Sequence, residues 1–181
     1  MKTLIIHPDD RTTDFLKPIY QNIKNKTVIT HGKSKQEIKD LMKSHNRIMM
    51  MGHGVPSGLL RTRQDWGEGV NGLVVDSSMA DILKERECVF IWCNADWFVR
   101  GYNLKGFFSG MFCSEIDECL YNGFGTTQDL VDESNNVFSQ IVSKYINEGI
   151  HTMYEKVMEE YSLLAIDNKV AEFNSKRLYL L

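Results

Sequence analysis

Short apolar runs alternate with amphipathic stretches along the first two-thirds of the chain. Apolar residues recur at helical spacing over residues 12–24, 34–45 and 77–87. The runs between and around these stretches are apolar nearly throughout and predict strands over residues 3–7, 27–32, 47–52 and 88–93. Fully apolar strands that alternate with helices indicate a parallel sheet covered on both faces. Ser34, with Glu37 three residues later, matches a capping box at the start of one helix.

The remaining third extends this pattern. Further strands are predicted over residues 72–76 and 104–112, longer helices over 127–147 and 150–166, and a last strand or packed arm over 177–181. Neither repeats nor linker-like segments interrupt the chain, so we expect one domain over residues 1–181. The expected fold class is α/β and doubly wound, a three-layer sandwich in which helices flank a mostly parallel central sheet.

Charge and composition narrow the classes of partner. The 181 residues carry a net charge of -3, whereas nucleic-acid binding normally shows as a clustered excess of Lys and Arg. The apolar stretch near the N-terminus is too short for a signal peptide, and no apolar run approaches the roughly 20 residues that span a bilayer. We therefore expect a cytoplasmic protein that contacts neither nucleic acid nor membrane.

The four cysteines are expected to be free thiols and not disulfides or metal ligands. Cys88, Cys93, Cys113 and Cys119 form no C-x-x-C pair, and their spacing to histidines matches no common zinc pattern. A reducing cytoplasm keeps such residues unpaired, and buried free cysteines usually pack as small hydrophobic side chains. We expect neither a metal nor a cofactor.

Reactive side chains collect at the ends of the predicted strands. Three strands end in His7, His31 and His53, and the fourth ends in Cys93. In the common strand order 2-1-3-4 the third and fourth strands are neighbours, about 4.8 Å apart. His53 would then lie beside Cys93, with His7 roughly 10 Å and His31 roughly 14 Å away by the same spacing.

A histidine beside a cysteine is the arrangement that activates a thiol for nucleophilic attack. His53 would act as general base and acid, because imidazole titrates near neutral pH. Glycine on each side of His53 permits a sharp turn and close approach of a ligand, and the amides of Gly54 and Cys93 can hold an oxyanion. A third, carboxylate member is not required, and three aspartates are unranked candidates for it: Asp9, Asp10 and Asp76.

Three segments resemble the caspase-like cysteine peptidases, which include caspases, metacaspases, legumains, gingipains, separases and CHAT domains. "IMMMGHGVPSGL" (48–59) is similar to the His-Gly segment of that clan, and "MADILKERECVFIWCNAD" (79–96) is similar to its helix and cysteine strand. "LKGFFSGMFCSEIDE" (104–118) resembles the next strand, which supports the primary specificity pocket. As topology the likeness covers residues 1–145, and it implies a peptidase that acts on peptides or proteins.

One departure from the family leaves alternatives open. Trp92 stands before Cys93, where the family usually has alanine, and a shifted register would put Ala95 at the nucleophile position. The chain would then be a catalytically inactive relative that serves as a binding or regulatory module. A third hypothesis is a flavodoxin-like or receiver-like binding protein, although no glycine-rich phosphate loop follows the first strand.

Charge also suggests a specificity. No Lys or Arg occurs between Lys105 and Lys144, whereas this interval contains several acidic residues. By the family likeness the interval begins beside the specificity pocket, so an acidic wall would favour a basic substrate residue. Acids near a helix N-terminus are also favoured by the helix dipole, which explains part of this pattern without a ligand. The candidate substrate-binding residues are Asp96, Trp97, Ser109 and Glu115.

Overall fold

The computed structural model describes residues 1–61 and 72–181. The strands are β1 (Thr3–Ile6), β2 (Lys26–Ile29), β3 (Arg47–Met51), β4 (Gly54–Val55), β5 (Gly58–Leu60), β6 (Leu73–Val75), β7 (Glu87–Ile91), β8 (Phe107–Ser109) and β9 (Leu178–Leu180). The α-helices are α1 (Lys17–Gln21), α2 (Lys35–Lys43), α3 (Ala80–Leu83), α4 (Ala95–Gly101), α5 (Ile116–Tyr121), α6 (Gln128–Tyr145), α7 (Ile150–Leu164) and α8 (Lys169–Ser175). Short 3₁₀ helices at Arg11–Leu16 and Ser77–Met79 lead into α1 and α3.

A six-stranded sheet forms the centre of the fold, with strand order β2-β1-β3-β7-β8-β9. The first five strands in this order are parallel, and β9 is antiparallel to β8 at one edge. A second, three-stranded antiparallel sheet of β4, β5 and β6 follows the end of β3. The predictions of an α/β fold with a mostly parallel sheet, and of a strand order 2-1-3-4 for its first strands, are confirmed.

Successive residues of the apolar strands face two separate hydrophobic cores, one on each side of the central sheet. Met50 and Phe90 face one core, to which α2 contributes Ile38 and α4 contributes Phe98. The neighbouring positions face the opposite core, which includes side chains from α1, α6 and α7. Side chains of a strand alternate between the two faces of a sheet, so strands buried on both faces must be apolar throughout. Helices cover both faces, which gives three layers.

Three of the five predicted helices are α-helices close to the predicted bounds, namely α2, α6 and α7. The capping box is present, because Ser34 and Glu37 exchange hydrogen bonds at the start of α2. The helix predicted over residues 12–24 is instead a 3₁₀ turn followed by the short α1. Pro18 lies in the first turn of α1, where its missing N–H costs nothing.

No helix within residues 1–61 and 72–181 has both the length and the apolar character that crossing a bilayer requires.

Candidate active site

His53 and Cys93 leave neighbouring strands in register. Met51 of β3 pairs with Ile91 of β7, and the amide of Gly52 still donates to the Ile91 carbonyl at 3.0 Å. His53 and Cys93 each follow two residues later along the chain. Both therefore lie at the carboxyl edge of the sheet, the edge where parallel α/β sheets bind ligands. This juxtaposition was predicted from the strand order.

Both residues line one small cavity of about 20 Å³. Its walls also include Phe15, which precedes α1, and Phe112, which follows β8. These two rings stack with their centroids 6.3 Å apart and an interplanar angle of 11°. A cavity of this volume accommodates about one water molecule, so a peptide group enters only if a wall moves.

The imidazole of His53 is oriented by a hydroxyl–carboxylate pair. Its Nε2 lies 2.6 Å from Oγ1 of Thr12, and that hydroxyl lies 2.7 Å from Oδ1 of Asp10. A carboxylate accepts the hydroxyl proton, so the Thr12 oxygen accepts a hydrogen bond from Nε2–H of His53. In the neutral imidazole the ring proton is then on Nε2, and Nδ1 is the nitrogen that can accept a proton.

Among the three aspartates that the sequence left unranked, Asp10 is the one connected to His53. Asp76 caps the 3₁₀ helix before α3 and forms an ion pair with Lys35. Asp9 lies 3.7 Å from Lys17. Asp10 also accepts from the Thr12 amide at 3.0 Å, and this second bond fixes the turn that carries the hydroxyl. Thr12 itself was not predicted, because threonine in a turn carries no recognisable signal.

The thiol of Cys93 contacts a main-chain carbonyl and a carboxylate. It donates to the carbonyl of Phe112 at 3.3 Å, and Oε1 of Glu118 lies 3.8 Å from the sulfur. Burial, followed by the nearby Glu118 carboxylate, raises the pKa of the Cys93 thiol to about 12. Cys93 is therefore a neutral thiol at neutral pH in this conformation.

Glu118 is held in place by the start of α5. Its second oxygen accepts from the amide and hydroxyl of Ser114 and from the amide of Glu115. These bonds satisfy donors that the first turn of a helix leaves unpaired. Glu118 therefore caps α5 and contacts the thiol at the same time. The sequence shows its capping position but not its contact with Cys93.

Glycine at position 54 has a packing reason. A Cβ atom there would lie 2.0 Å from Cδ1 of Trp92, so only glycine allows the indole to pack against this backbone. The indole N–H of Trp92 donates to the carbonyl of Val55 at 3.3 Å. Gly52 has a different reason, because its φ of +137° lies where side chains are strained. Trp92, which departs from the family pattern, therefore braces the turn that contains His53.

The chain after Cys93 turns sharply into α4. Asn94 has a φ of 65°, in the left-handed region that asparagine tolerates better than most residues. Ala95 starts α4 and is fully buried in the core. The alternative register therefore places at the nucleophile position a residue with no exposed surface.

The remaining candidate residues lie apart from the cavity. Trp97 is 67% exposed on α4, and Asp96 precedes it in the same helix. Ser109 has no exposed surface, and its hydroxyl donates to the carbonyl of Trp92 at 2.9 Å. These three residues do not line the His53–Cys93 cavity, so their assignment to substrate binding stays a prediction.

The other strand-end histidines have separate environments. His7 is buried between the hydroxyls of Tyr20 and Thr13, at 2.9 and 3.1 Å. His31 is exposed and contacts the hydroxyl of Thr30 at 2.8 Å. All four cysteines are free thiols, and Cys88, Cys113 and Cys119 are buried.

A larger cleft of about 440 Å³ adjoins this cavity. Phe15 and Ser114 line both, and Thr12, the partner of His53, lines the cleft. Its opposite side includes the start of α5 and the first turns of α6. Glu115, a predicted substrate-binding residue, belongs to this cleft.

No three metal-ligating side chains converge within the part of the chain that the structure describes. Comparisons of the chain with protein-family models, curated proteins and solved structures found no match.

Proposed function

We propose that this protein is a caspase-like cysteine peptidase that hydrolyses peptide bonds with His53 and Cys93. One observation carries the proposal: the two residues follow adjacent parallel strands in register and line the same cavity. The strand order of the central sheet supports it, because the resemblance implies neighbouring histidine and cysteine strands. The position of β8 beside β7 agrees with the segment expected to support the specificity pocket.

The first chemical step transfers the proton of Cys93 to Nδ1 of His53. The sulfur then bonds to the substrate carbonyl carbon, and the amides of Gly54 and Cys93 are the proposed donors to the oxyanion. Collapse of this intermediate breaks the C–N bond, and the imidazolium donates its proton to the leaving amine. His53 next takes a proton from water while the water oxygen bonds to the thioester carbon. The C–S bond then breaks, the carboxylic acid product leaves, and the imidazolium returns its proton to the sulfur of Cys93.

The chemistry requires a different thiol rotamer from the one described above. The proposed mechanism requires that rotation about the Cα–Cβ bond of Cys93 breaks its hydrogen bond to the Phe112 carbonyl and turns the sulfur toward the imidazole. Hydrogen bonds in uncomplexed active sites are often long or misdirected and tighten when substrate binds. The present conformation is thus the resting state of the proposed enzyme.

An inactive binding module is the second candidate, and a specific observation favours it. A thiol that has a pKa of about 12 and donates a hydrogen bond to a main-chain carbonyl is a poor nucleophile. If this rotamer persists with substrate bound, the same cleft would bind a peptide without cleaving it.

Covalent labelling separates the two candidates. The intact protein is incubated with peptidyl acyloxymethyl ketones that carry Arg, Lys or Asp at the first position, and adducts are located by mass spectrometry. We expect one adduct on Cys93, lost in both Cys93→Ala and His53→Ala. His31→Ala is the matched control, because His31 also ends a strand and precedes glycine. Labelling that survives Cys93→Ala, or no labelling by any of the three probes, would contradict a peptidase.

A further inference from the structure

The small cavity at the proposed catalytic pair and the larger cleft beside it share a wall. His53 and Cys93 line a space of about 20 Å³, and the neighbouring cleft has a volume of about 440 Å³. Cys93 is partly exposed, but a space of the smaller size admits about one water molecule and no peptide group. The wall between the two spaces therefore determines which molecules reach the thiol.

Two of the described residues belong to this shared wall, Phe15 and Ser114. The amide and hydroxyl of Ser114 donate to Glu118 at 2.7 and 3.1 Å, and its carbonyl accepts from Asn135 at 2.9 Å. The ring of Phe15 has no polar group and is held by packing alone. Ser114 is therefore the fixed part of the wall, and Phe15 is the part that can rotate.

Phe15 closes the cavity by stacking on Phe112. The two ring centroids lie 6.3 Å apart. Phe112 is buried, its ring also contacts Phe138 at 4.8 Å, and its carbonyl accepts from the thiol of Cys93. Phe15 is only partly buried, and its ring contacts no second aromatic ring in the part of the chain that the structure describes. Partly exposed side chains change rotamer more readily than buried ones, so Phe15 moves more easily than Phe112.

The backbone that carries Phe15 is anchored on both sides. Asp10 caps the 3₁₀ turn by accepting from the amide of Thr12 at 3.0 Å. Leu16, the next residue after Phe15, is 2% exposed and belongs to the hydrophobic core. Opening of the wall is therefore a rotation of one side chain between staggered rotamers. It leaves the hydroxyl of Thr12 in contact with His53.

We propose that Phe15 is a gate between the cleft and the His53–Cys93 cavity. In the closed position, which the structure shows, the ring stacks on Phe112 and leaves space for about one water molecule. In the open position the ring turns into the cleft, and the two spaces become one. The gate rests on the proposed function for its role as a regulator of substrate access. Its control of access to the Cys93 thiol does not depend on catalysis.

Two alkylating reagents with the same reactive group but different sizes test the gate. The protein is treated at pH 8 with iodoacetamide or with iodoacetamidofluorescein, and peptide mapping by mass spectrometry gives the rate of Cys93 modification. Both reagents require the thiolate, so the ratio of the two rates is insensitive to a change in the thiol pKa.

Replacing Phe15 with alanine should raise the ratio of the fluorescein rate to the iodoacetamide rate. The fluorescein reagent reaches the thiol only in the open form, whose population we expect to be about 10% or less. Removal of the ring leaves every molecule open, so the ratio should rise at least about tenfold. Phe15→Leu retains most of the apolar packing and should raise the ratio at least about twofold. It decides the test if circular dichroism shows that Phe15→Ala does not fold.

Tyr154→Ala is the matched control. Tyr154 is also partly buried, packs on the same core as Phe15 and has its ring centroid 6.1 Å from that of Phe107. It lines neither of the two spaces, so its substitution should leave the ratio unchanged. Cys88, which is buried in the opposite core, reports general opening of the fold in the same peptide maps.

Three results would overturn the gate: an unchanged ratio in Phe15→Ala, an equal rise in Tyr154→Ala, or a parallel rise in the ratio for Cys88. The peptidyl ketone experiment judges the peptidase separately. A raised ratio without ketone labelling of wild type or Phe15→Ala refutes the peptidase and keeps the gate. Ketone labelling of Cys93 with an unchanged ratio refutes the gate and keeps the peptidase.

Discussion

At the scale of single residues, the state of Cys93 is decided by what its sulfur contacts. Burial and the carboxylate of Glu118 both raise the pKa of the thiol and so favour its protonated form. His53 has an equally definite partner, because Thr12 and Asp10 direct its Nε2. The two proposed catalytic groups are therefore each held by neighbours, and two predictions follow from the identity of those neighbours.

Replacing Glu118 with glutamine should make Cys93 more reactive. Glutamine still accepts the hydrogen bonds that cap α5 but removes the charge that raises the thiol pKa. The rate of alkylation of Cys93 by iodoacetamide at pH 8 should rise about tenfold for each unit by which the pKa falls. Peptide mapping by mass spectrometry measures the extent of Cys93 alkylation over time. Asp117→Asn removes a neighbouring charge without contact to the sulfur, and an equal rise in that variant would contradict the assignment to Glu118.

Removing the Thr12 hydroxyl should change the tautomer of His53. The observed bonds place the ring proton on Nε2, and Thr12→Val keeps the shape of the side chain but removes the acceptor. We expect ¹⁵N spectra at pH 8 to show mainly the Nε2–H tautomer in the wild-type protein and a mixture in the variant. The signal of His31, which contacts Thr30 instead, is the internal control. An unchanged His53 signal would mean that Thr12 does not position the ring.

At the scale of elements, β4 and the turn before it depend on a contact from Trp92, which directly follows β7. Gly54, the first residue of β4, packs against the indole of Trp92, and the indole N–H donates to the carbonyl of Val55. The sharp entry into α4 after Cys93 completes the other side of the site. The apolar strand pattern predicted where both strands end, but tertiary packing determines which residue type each position accepts.

Alanine at position 54 should destabilise the protein. The new Cβ would overlap the indole of Trp92, and overpacking of this kind costs about 1–3 kcal/mol in free energy of unfolding. Urea denaturation measures the change. Gly101→Ala is the control, because nothing lies within 4 Å of its added Cβ and alanine is the better helix former, so its stability should be unchanged or slightly higher. Equal stabilities of the two variants would exclude this packing role.

At the scale of the whole molecule, buried polar groups bind the first 20 residues to the sheet. His7 joins the end of β1 to α1 through Tyr20 and to the preceding 3₁₀ turn through Thr13. Burial, with a smaller contribution from Lys17, lowers the pKa of His7 to about 4. The histidine is therefore neutral in the folded state, whereas it has its ordinary pKa of about 6.5 when the chain unfolds.

This difference predicts a loss of stability in mild acid. Below pH 6.5 the unfolded chain gains a proton that folded His7 does not bind, so the free energy of unfolding falls until the pH reaches about 4. Between pH 7 and pH 5 the loss from this group should be about 2 kcal/mol. Urea denaturation measures the free energy of unfolding at the two pH values. Its fall from pH 7 to pH 5 should be about 2 kcal/mol smaller in His7→Gln than in the wild-type protein. The same pH dependence in wild type and variant would assign the effect to other groups.

The apolar pattern alone determined the parallel strands of the central sheet and the edge where reactive residues collect, whereas the short strands β4 and β5 were not predicted. A strand covered on both faces must be apolar throughout, and the polar residue that ends it marks the exit from the sheet. Short elements escaped this reasoning: α4, α5 and α8 contain six or seven residues each and show too few turns for a periodic signal. The apolar spacing of the 3₁₀ turn before α1 is similar to that of an α-helix and so predicts the wrong helix type.

Only the tertiary structure decided which side chains meet. Residues from 11–15, 114–117 and 128–136 line the larger cleft and come from three separate segments, and Glu118 contacts Cys93 across 25 residues of the chain. Periodicity records which face of an element is buried, because burial of apolar area dominates folding. It does not record the rotamer of a thiol or the partner of a carboxylate, which depend on long-range packing. The sequence therefore determined that His53 and Cys93 lie side by side, and packing decided that the thiol rests against Phe112 and Glu118.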